Sequence, residues 1–264
     1  MNEKGLVVTG LFMPTTKFPA PDHRPTISQL QWTQYQLDNY STVAEVIEHA
    51  EDLRILHTKG APGFHYFIWD KDENCAIIDW IEGRAQITTG RKVAIPLITN
   101  SDYQISEKSW RKNKLPEKDP FQSLSRYSRA ANQIKKVQSS SEQDSVQLAL
   151  KILNTLSWEA PTQWQVIYNP INLKISFQTR SNQRFQYIKL SDLDFACNRS
   201  VKFKKINEIV EGNVAKRMKP FNIEINREVI TNAFFKSPFS KKASSEVVLH
   251  RSQYPSTWYC VDSY

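Results

Sequence analysis

The sequence predicts an α+β fold, two antiparallel sheets each covered by a pair of helices. Three observations point to it. Strand-type runs come in groups instead of alternating singly with helices. Two segments of helical periodicity follow the first strand, and two more separate the two later groups of strands. The punctuation between neighbouring strands, Glu82-Gly83, Asn169-Pro170 and Arg180-Ser181-Asn182, falls at hairpin spacing.

MNEKGL sets turn-forming residues ahead of Leu6, Val7 and Val8, so a strand is expected over Leu6–Leu11. Gly5 is free there to adopt a conformation other residues avoid. Domains seldom start one residue before a tight turn that feeds a core strand, and a segment ahead of Met1 is therefore expected. Pro14, Pro19, Pro21 and Pro25 mark a loop. Ile27, Leu30 and Leu37 share a helical face that ends at Asp38-Asn39, and Thr42 with Glu45 forms a capping box opening a helix with Val43, Val46 and Ile47. FHYFIWD then leads into CAIIDWIEGRAQITTG, a hairpin turning at Glu82-Gly83, and VAIPLITN reads as a further strand ending at Thr99-Asn100. SEKSWRKNKLPEKDP reads as a loop. SLSRYSRAANQIKKV and DSVQLALKILNTL read as helices split by SSSEQ, and TQWQVIY, LKISFQT and RFQYIKL as strands. A helix is expected over 222–235. KSPFSKKASSE looks flexible and opens an irregular tail, about 236–264, on a single domain spanning 1–264.

With 264 residues of which 40% are hydrophobic, the chain can bury a sizeable core as one large domain or two small ones. No apolar run approaches the ~20 residues of a membrane span. The net charge of +8 gathers in Lys108, Arg111, Lys112 and Lys114; Lys202, Lys204 and Lys205; Lys216, Arg217 and Lys219; Lys241 and Lys242. Such clusters fit a nucleic-acid or anionic surface or, the favoured reading, a solvated basic face. Cys75, Cys197 and Cys260 form no CxxC pair, and the five histidines have no zinc-type spacing with them. Gly5 and Gly10 have the first spacing of a phosphate loop, but Leu11 and Phe12 stand where Lys and Ser or Thr are required. No metal and no cofactor are expected.

Taken together and in order, MNEKGL, WTQYQLDNYSTVAEV, FHYFIWDKDENCAIIDW, LITN, SRYSRAA, TQWQVIY, LKISFQTR and SDLDF resemble the choloylglycine hydrolase and penicillin V acylase family. These are linear-amide C–N hydrolases of the N-terminal-nucleophile class. The likeness covers roughly residues 1–195 and continues weakly through EGNVAKRMKPFNIEINREVI. It implies an αββα sandwich, two antiparallel sheets between helix layers, here incomplete at its N-terminus. In the family, MNEKGL lies downstream of a segment that starts with the catalytic cysteine and carries an Arg and an Asp beside it. The chain is therefore expected to be truncated, lacking its first strands, and inactive alone. An N-terminal cysteine supplies both the thiol and, in its α-amine, the base; mid-chain Cys75 has no free α-amine.

The resemblance carries over four positions. Asn100 matches the oxyanion asparagine; on the residues alone it reads as a turn residue capping Ser101-Asp102. Arg126 matches the arginine that organises the catalytic cluster, with Arg129 the exposed helix arginine. Phe12 stands where bile-salt hydrolases have Asn and penicillin V acylases often an aromatic, which shifts the expected substrate from conjugated bile salts towards aryl- or alkyl-acyl amides. Phe64 reads equally as an acyl contact or a core aromatic, and the following His65 as a structural strand histidine. The implied function is hydrolysis of an N-acyl amide such as penicillin V, an acyl-homoserine lactone or a conjugated bile salt. The alternative is an inactive remnant that binds an acylated ligand or partner. No nucleic-acid partner is expected, and the resemblance implies a homo-oligomer, tetrameric in many relatives. Relatives occur both in the cytoplasm and as exported proteins, so the compartment stays open.

Overall fold

The computed structural model of the chain describes residues 1–56, 63–137, 142–156, 162–196, 198–236 and 244–257. Val7–Phe12 (β1), Phe64–Trp69 (β2), Cys75–Ile81 (β3) and Arg84–Thr89 (β4) form a four-stranded antiparallel sheet in that order. Because side chains alternate between the faces of a strand, the register decides what each face buries. Val8 sits opposite Ile68, and Tyr66 opposite Ile78. These residues and Trp80 meet Trp32, Val43 and Val46 from Gln29–Asn39 (α1) and Val43–Glu48 (α2) in one core. Both helices open on a complete capping box, Ser28 with Gln31 and Thr42 with Glu45, which satisfies orphan N–H groups at each start.

The sheet's opposite face is covered by a different group. Ile77 packs with Ile95, Ile98, Tyr103, Tyr127 and Ala131, and Leu11 and Phe67 lean on this second cluster. Its helices are Tyr103–Arg111 (α3) and Ser123–Ile134 (α4). Next, Glu142–Thr155 (α5) bridges α4 to the second sheet. That sheet contains Trp164–Asn169 (β5), Lys174–Thr179 (β6) and Gln186–Lys189 (β7), joined antiparallel. Gly5 sits at the junction of the two sheets with φ +87°, and a Cβ there would lie 3.0 Å from the Pro170 carbonyl.

Four local expectations give way. VAIPLITN forms no strand: Pro96 lacks an N–H, and Leu97 N–H turns back onto the Ile95 carbonyl at 2.8 Å. The Tyr103 hydroxyl instead accepts from Ala94 N–H at 2.9 Å and donates to the Ile95 carbonyl at 3.2 Å. The start of SEKSWRKNKLPEKDP is helical, since Asp102 caps α3 by accepting from Ile105 N–H at 2.9 Å while Tyr103 and Ser106 go inward. The second sheet carries one parallel pair, Gly212–Asn213 (β8) beside β7, and the connection from Lys189 is long enough for the crossover such pairing needs. The tail is not irregular throughout: beyond Ile223–Lys236 (α6) it contains a helix, Ser245–Gln253 (α7), capped by Ser244. The two helices pack together through Asn226, whose side chain donates to the Ser252 carbonyl at 2.7 Å. Residues 139–141 of SSSEQ, 237–243 of KSPFSKKASSE, Lys241 and Lys242, and Cys197 and Cys260 lie outside the described residues. Among the described residues no helix is long and apolar enough to cross a membrane, and no group of three metal-ligating side chains gathers.

Two outcomes follow from this packing. The Gly63 carbonyl accepts from Met13 N–H at 2.9 Å, tying the end of β1 to the start of β2. A Cβ on Gly63 would stand 2.5 Å from Thr16 Cβ and 2.8 Å from the Met13 carbonyl oxygen. Gly63→Ala is expected to cost about 1–3 kcal/mol, the usual range for overpacking, in a chemical-denaturation titration; an unchanged midpoint contradicts the packing described. Burial lifts the Asp102 carboxyl above its ordinary value, the Asp79 charge adds to the rise, and the Ile105 N–H works against it. The folded chain thus holds this proton more tightly than the unfolded chain. Ionised Asp102 lowers stability at neutral pH, and the deficit shrinks as pH falls through the raised folded value to the ordinary carboxylate range. Asp102→Asn keeps the capping oxygen and removes the ionisation. Its melting temperature should exceed the parent's at pH 7, with the gap closing on acidification; a gap that widens in acid contradicts the assignment.

Candidate active site

The site forms where the C-terminal end of β1 meets the start of α4. Asn100 lies half-buried between them, after the irregular segment that Ile95 and Ile98 anchor in the second core. Its Nδ2 donates to the Phe12 carbonyl at 2.7 Å, across 88 residues of chain. Its Oδ1 accepts from Arg126 Nη2 at 2.5 Å. The amide is thus held at both ends, and its orientation is set by partners that accept only on one side and donate only on the other.

Arg126 stands one turn into α4. Its Nε donates to the Phe121 carbonyl at 3.1 Å, so one guanidinium grips both Asn100 and the turn into its own helix. Burial lowers its pKa from the usual guanidinium value, and neighbouring Arg129 pushes the same way against Asp119. Arg129, one turn on, is exposed and donates to the Thr155 carbonyl at 3.3 Å. The two arginines of SRYSRAA therefore differ in both exposure and partner.

The turn into α4 is unusual. Phe121 and Gln122 both have left-handed backbones, φ +57° and +51°, although neither is glycine. Asp119 holds them in place by accepting from Leu124 N–H at 2.8 Å and from Ser125 N–H at 2.9 Å, a carboxylate at a helix N-terminus. The turn sets the Phe121 ring edge-on to Phe12, with centroids 5.7 Å apart. Phe12 is paired across the strands with Phe64. Phe64 is half-buried and packs against the first core, so it serves that core as well as bordering the Phe12 end of the sheet.

Cys75, the free cysteine among the described residues, opens β3 opposite Trp69. Phe64 lies at the other end of β2, five residues away, which is about 17 Å along a strand. Burial raises the Cys75 thiol above its ordinary value, and Asp70 raises it further. Neither location nor protonation fits a nucleophile for Asn100.

Sequence reasoning passed over Phe121, Ser123 and Asp79. Ser123 Oγ accepts from Asn100 N–H at 2.9 Å. Asp79 was visible as a lone carboxylate inside the apolar run CAIIDWI, and Ser123 as a polar residue at the head of the α4 pattern. Phe121 gave no signal, because its left-handed backbone has no glycine to announce it.

Residues 1–103 match the family model described as linear amide C–N hydrolases, choloylglycine hydrolase family. A penicillin V acylase from Pectobacterium atrosepticum is 31% identical over 111 residues, covering 38% of this chain and 29% of the relative, so the chain matches under a third of that protein's length. Among solved structures, penicillin V acylase from Agrobacterium tumefaciens superposes with a TM-score of 0.70 at 20% identity, over 84% of this chain and 76% of that one. A mutant of conjugated bile acid hydrolase from Clostridium perfringens gives 0.64 at 16% identity, over 80% and 77%. At such identities the superpositions speak for the fold, which is the α+β sandwich of these enzymes. Residues 1–103 carry the sequence pattern of the choloylglycine hydrolase family, and the fold of the chain is like that of these solved structures.

Proposed function

We propose that this chain is the body of an enzyme that hydrolyses the linear amide of an N-acyl substrate, with Asn100 as oxyanion donor and Arg126 as its support. The observation that carries this is the bridge from the Phe12 carbonyl through Asn100 to Arg126. A carboxamide has two N–H hydrogens. One is engaged by Phe12, and the second is the donor a developing oxyanion would meet. Hydrogen bonding from the Arg126 cation to Oδ1 polarises the amide and strengthens that donor. The nucleophile is proposed to be an N-terminal cysteine on a segment outside residues 1–264. Its sulfur adds to the substrate carbonyl, the tetrahedral oxyanion collapses with loss of the amine, which leaves with a proton, and water then cleaves the thioester to release the acid.

Phe12, Phe64 and Phe121 offer ring surface and no side-chain hydrogen-bond donor around the Phe12 end of β1. That favours an aryl- or alkyl-acyl group, as in penicillin V or an acyl-homoserine lactone, over a conjugated bile salt. A second reading, a non-catalytic body that binds an acylated ligand, draws on the position of Cys75, remote from Asn100.

The test starts from the gene. Where the reading frame upstream of Met1 supplies a Cys-led segment, the longer polypeptide is expected to release phenoxyacetate from penicillin V, and Asn100→Ala is expected to lower kcat by about 10²–10³. The 264-residue chain is expected to show no turnover. Turnover by that chain alone, or an undiminished kcat in Asn100→Ala, contradicts the proposal; a stop codon just ahead of Met1 favours the second reading.

A further inference from the structure

Asp79 lies in β3 between residues that are wholly covered, and a carboxylate there needs partners. It is 1% exposed and His65, on the neighbouring strand, is 0% exposed. Asp79 Oδ1 meets His65 Nδ1 at 2.8 Å, and Asp79 Oδ2 accepts from Tyr103 N–H at 3.0 Å. The other ring nitrogen, Nε2, lies 2.8 Å from the Thr99 carbonyl oxygen. The Thr99 carbonyl can only accept, so Nε2 donates to it, and the ring is held at both nitrogens. Thr99 is the residue directly before Asn100.

The grip from the other side comes from α4. Ser123, 1% exposed, takes the Asn100 N–H at 2.9 Å. Its hydroxyl also lies 3.0 Å from Thr99 Oγ1 and 2.8 Å from Ser101 Oγ. The peptide group joining Thr99 to Asn100 is therefore held at its carbonyl by the sheet and at its N–H by the helix. Swinging either end of this peptide group out of line weakens one of the two contacts.

We propose that Asp79, His65 and Ser123 are positioning residues that set the direction of the Asn100 side-chain donor by clamping the peptide plane ahead of it. None of them need touch substrate. This rests on the reading of Asn100 as an oxyanion donor, where a displacement of about 1 Å can cost 10²-fold in rate, but the clamp itself is a matter of geometry and is tested without turnover.

The experiment uses the 264-residue chain labelled with ¹⁵N-asparagine, with the Asn100 side-chain amide signals identified by their loss in Asn100→Asp. His65→Leu removes both ring contacts, His65→Gln keeps an N–H within reach of the Thr99 carbonyl, and Ser123→Ala releases the Asn100 N–H. Ile68→Val, a truncation in the first core, is the control for general loosening. The expected result is that His65→Leu and Ser123→Ala shift the Asn100 amide pair towards the values of a solvent-exposed asparagine, whereas His65→Gln and Ile68→Val leave it in place. Should His65→Leu fail to fold, Ser123→Ala against Ile68→Val decides alone. Unmoved signals in Ser123→Ala, or an equal shift in Ile68→Val, overturn the proposal. Unmoved signals beside an active Cys-led longer polypeptide would sink the clamp and leave amide hydrolysis standing; shifted signals beside an inert Cys-led longer polypeptide would do the reverse.

Discussion

The structure turns on one carboxamide. Asn100 joins three parts of the chain that are far apart in sequence: the end of the opening strand, the segment that closes the second core, and the helix that carries Arg126. A hydrogen bond between neutral groups contributes about 0.5–1.5 kcal/mol net, and one to a charged group about 1.5–3 kcal/mol. Two such bonds converge on one side chain, and the same side chain is the group proposed to act on substrate. Stability and function draw on the same contacts here, which constrains what can replace Asn100. Asp would set an anion against the Phe12 carbonyl oxygen, and Ala would leave both partners without their bond.

Around that side chain the fold supplies rigidity from two directions. The sheet contributes a buried His–Asp pair, and the helix contributes a serine at its first residue. A buried pair of this kind is weak evidence for net stability, because the cost of removing both groups from water offsets most of their attraction. Its value is in direction: a ring hydrogen-bonded at both nitrogens has few orientations open to it. The left-handed pair Phe121-Gln122 belongs to the same pattern. Residues held in sparsely populated backbone conformations persist where their surroundings over-determine them, and here Asp119 and Arg126 both bond that turn.

Much of the fold could be read from residue patterns, and the exceptions have physical causes. The strands Phe64–Trp69 and Cys75–Ile81 and the helix α2 were legible because period and caps agree locally, whereas α4 showed by its period without a side-chain cap and α1 turns Trp32 inward while Leu30 is exposed. VAIPLITN departs from its strand-like pattern because apolar content alone does not give pairing: Pro96 and the Tyr103 hydroxyl redirect its backbone groups. The helix at Tyr103–Arg111 was hidden because its cap, Asp102, was read with the preceding turn. Asn100, Arg126 and Phe12 entered the candidate site through family resemblance alone; composition and spacing left Asn100 as an ordinary turn residue. Phe121 and Ser123 owe their places to contacts between segments distant in sequence, which no local pattern encodes.

Asn100 and Arg126 are proposed to act as one unit on an acyl oxygen. A double-mutant cycle on binding measures this most directly. Phenoxyacetate, whose carboxylate presents an oxygen where the oxyanion would form, would be titrated calorimetrically into the parent chain, Asn100→Ala, Arg126→Ala and the double variant. Strong non-additivity is expected, a coupling of about 0.5–3 kcal/mol, with the double variant binding little worse than either single one. Losses that simply add, or affinities that none of the substitutions changes, would contradict it.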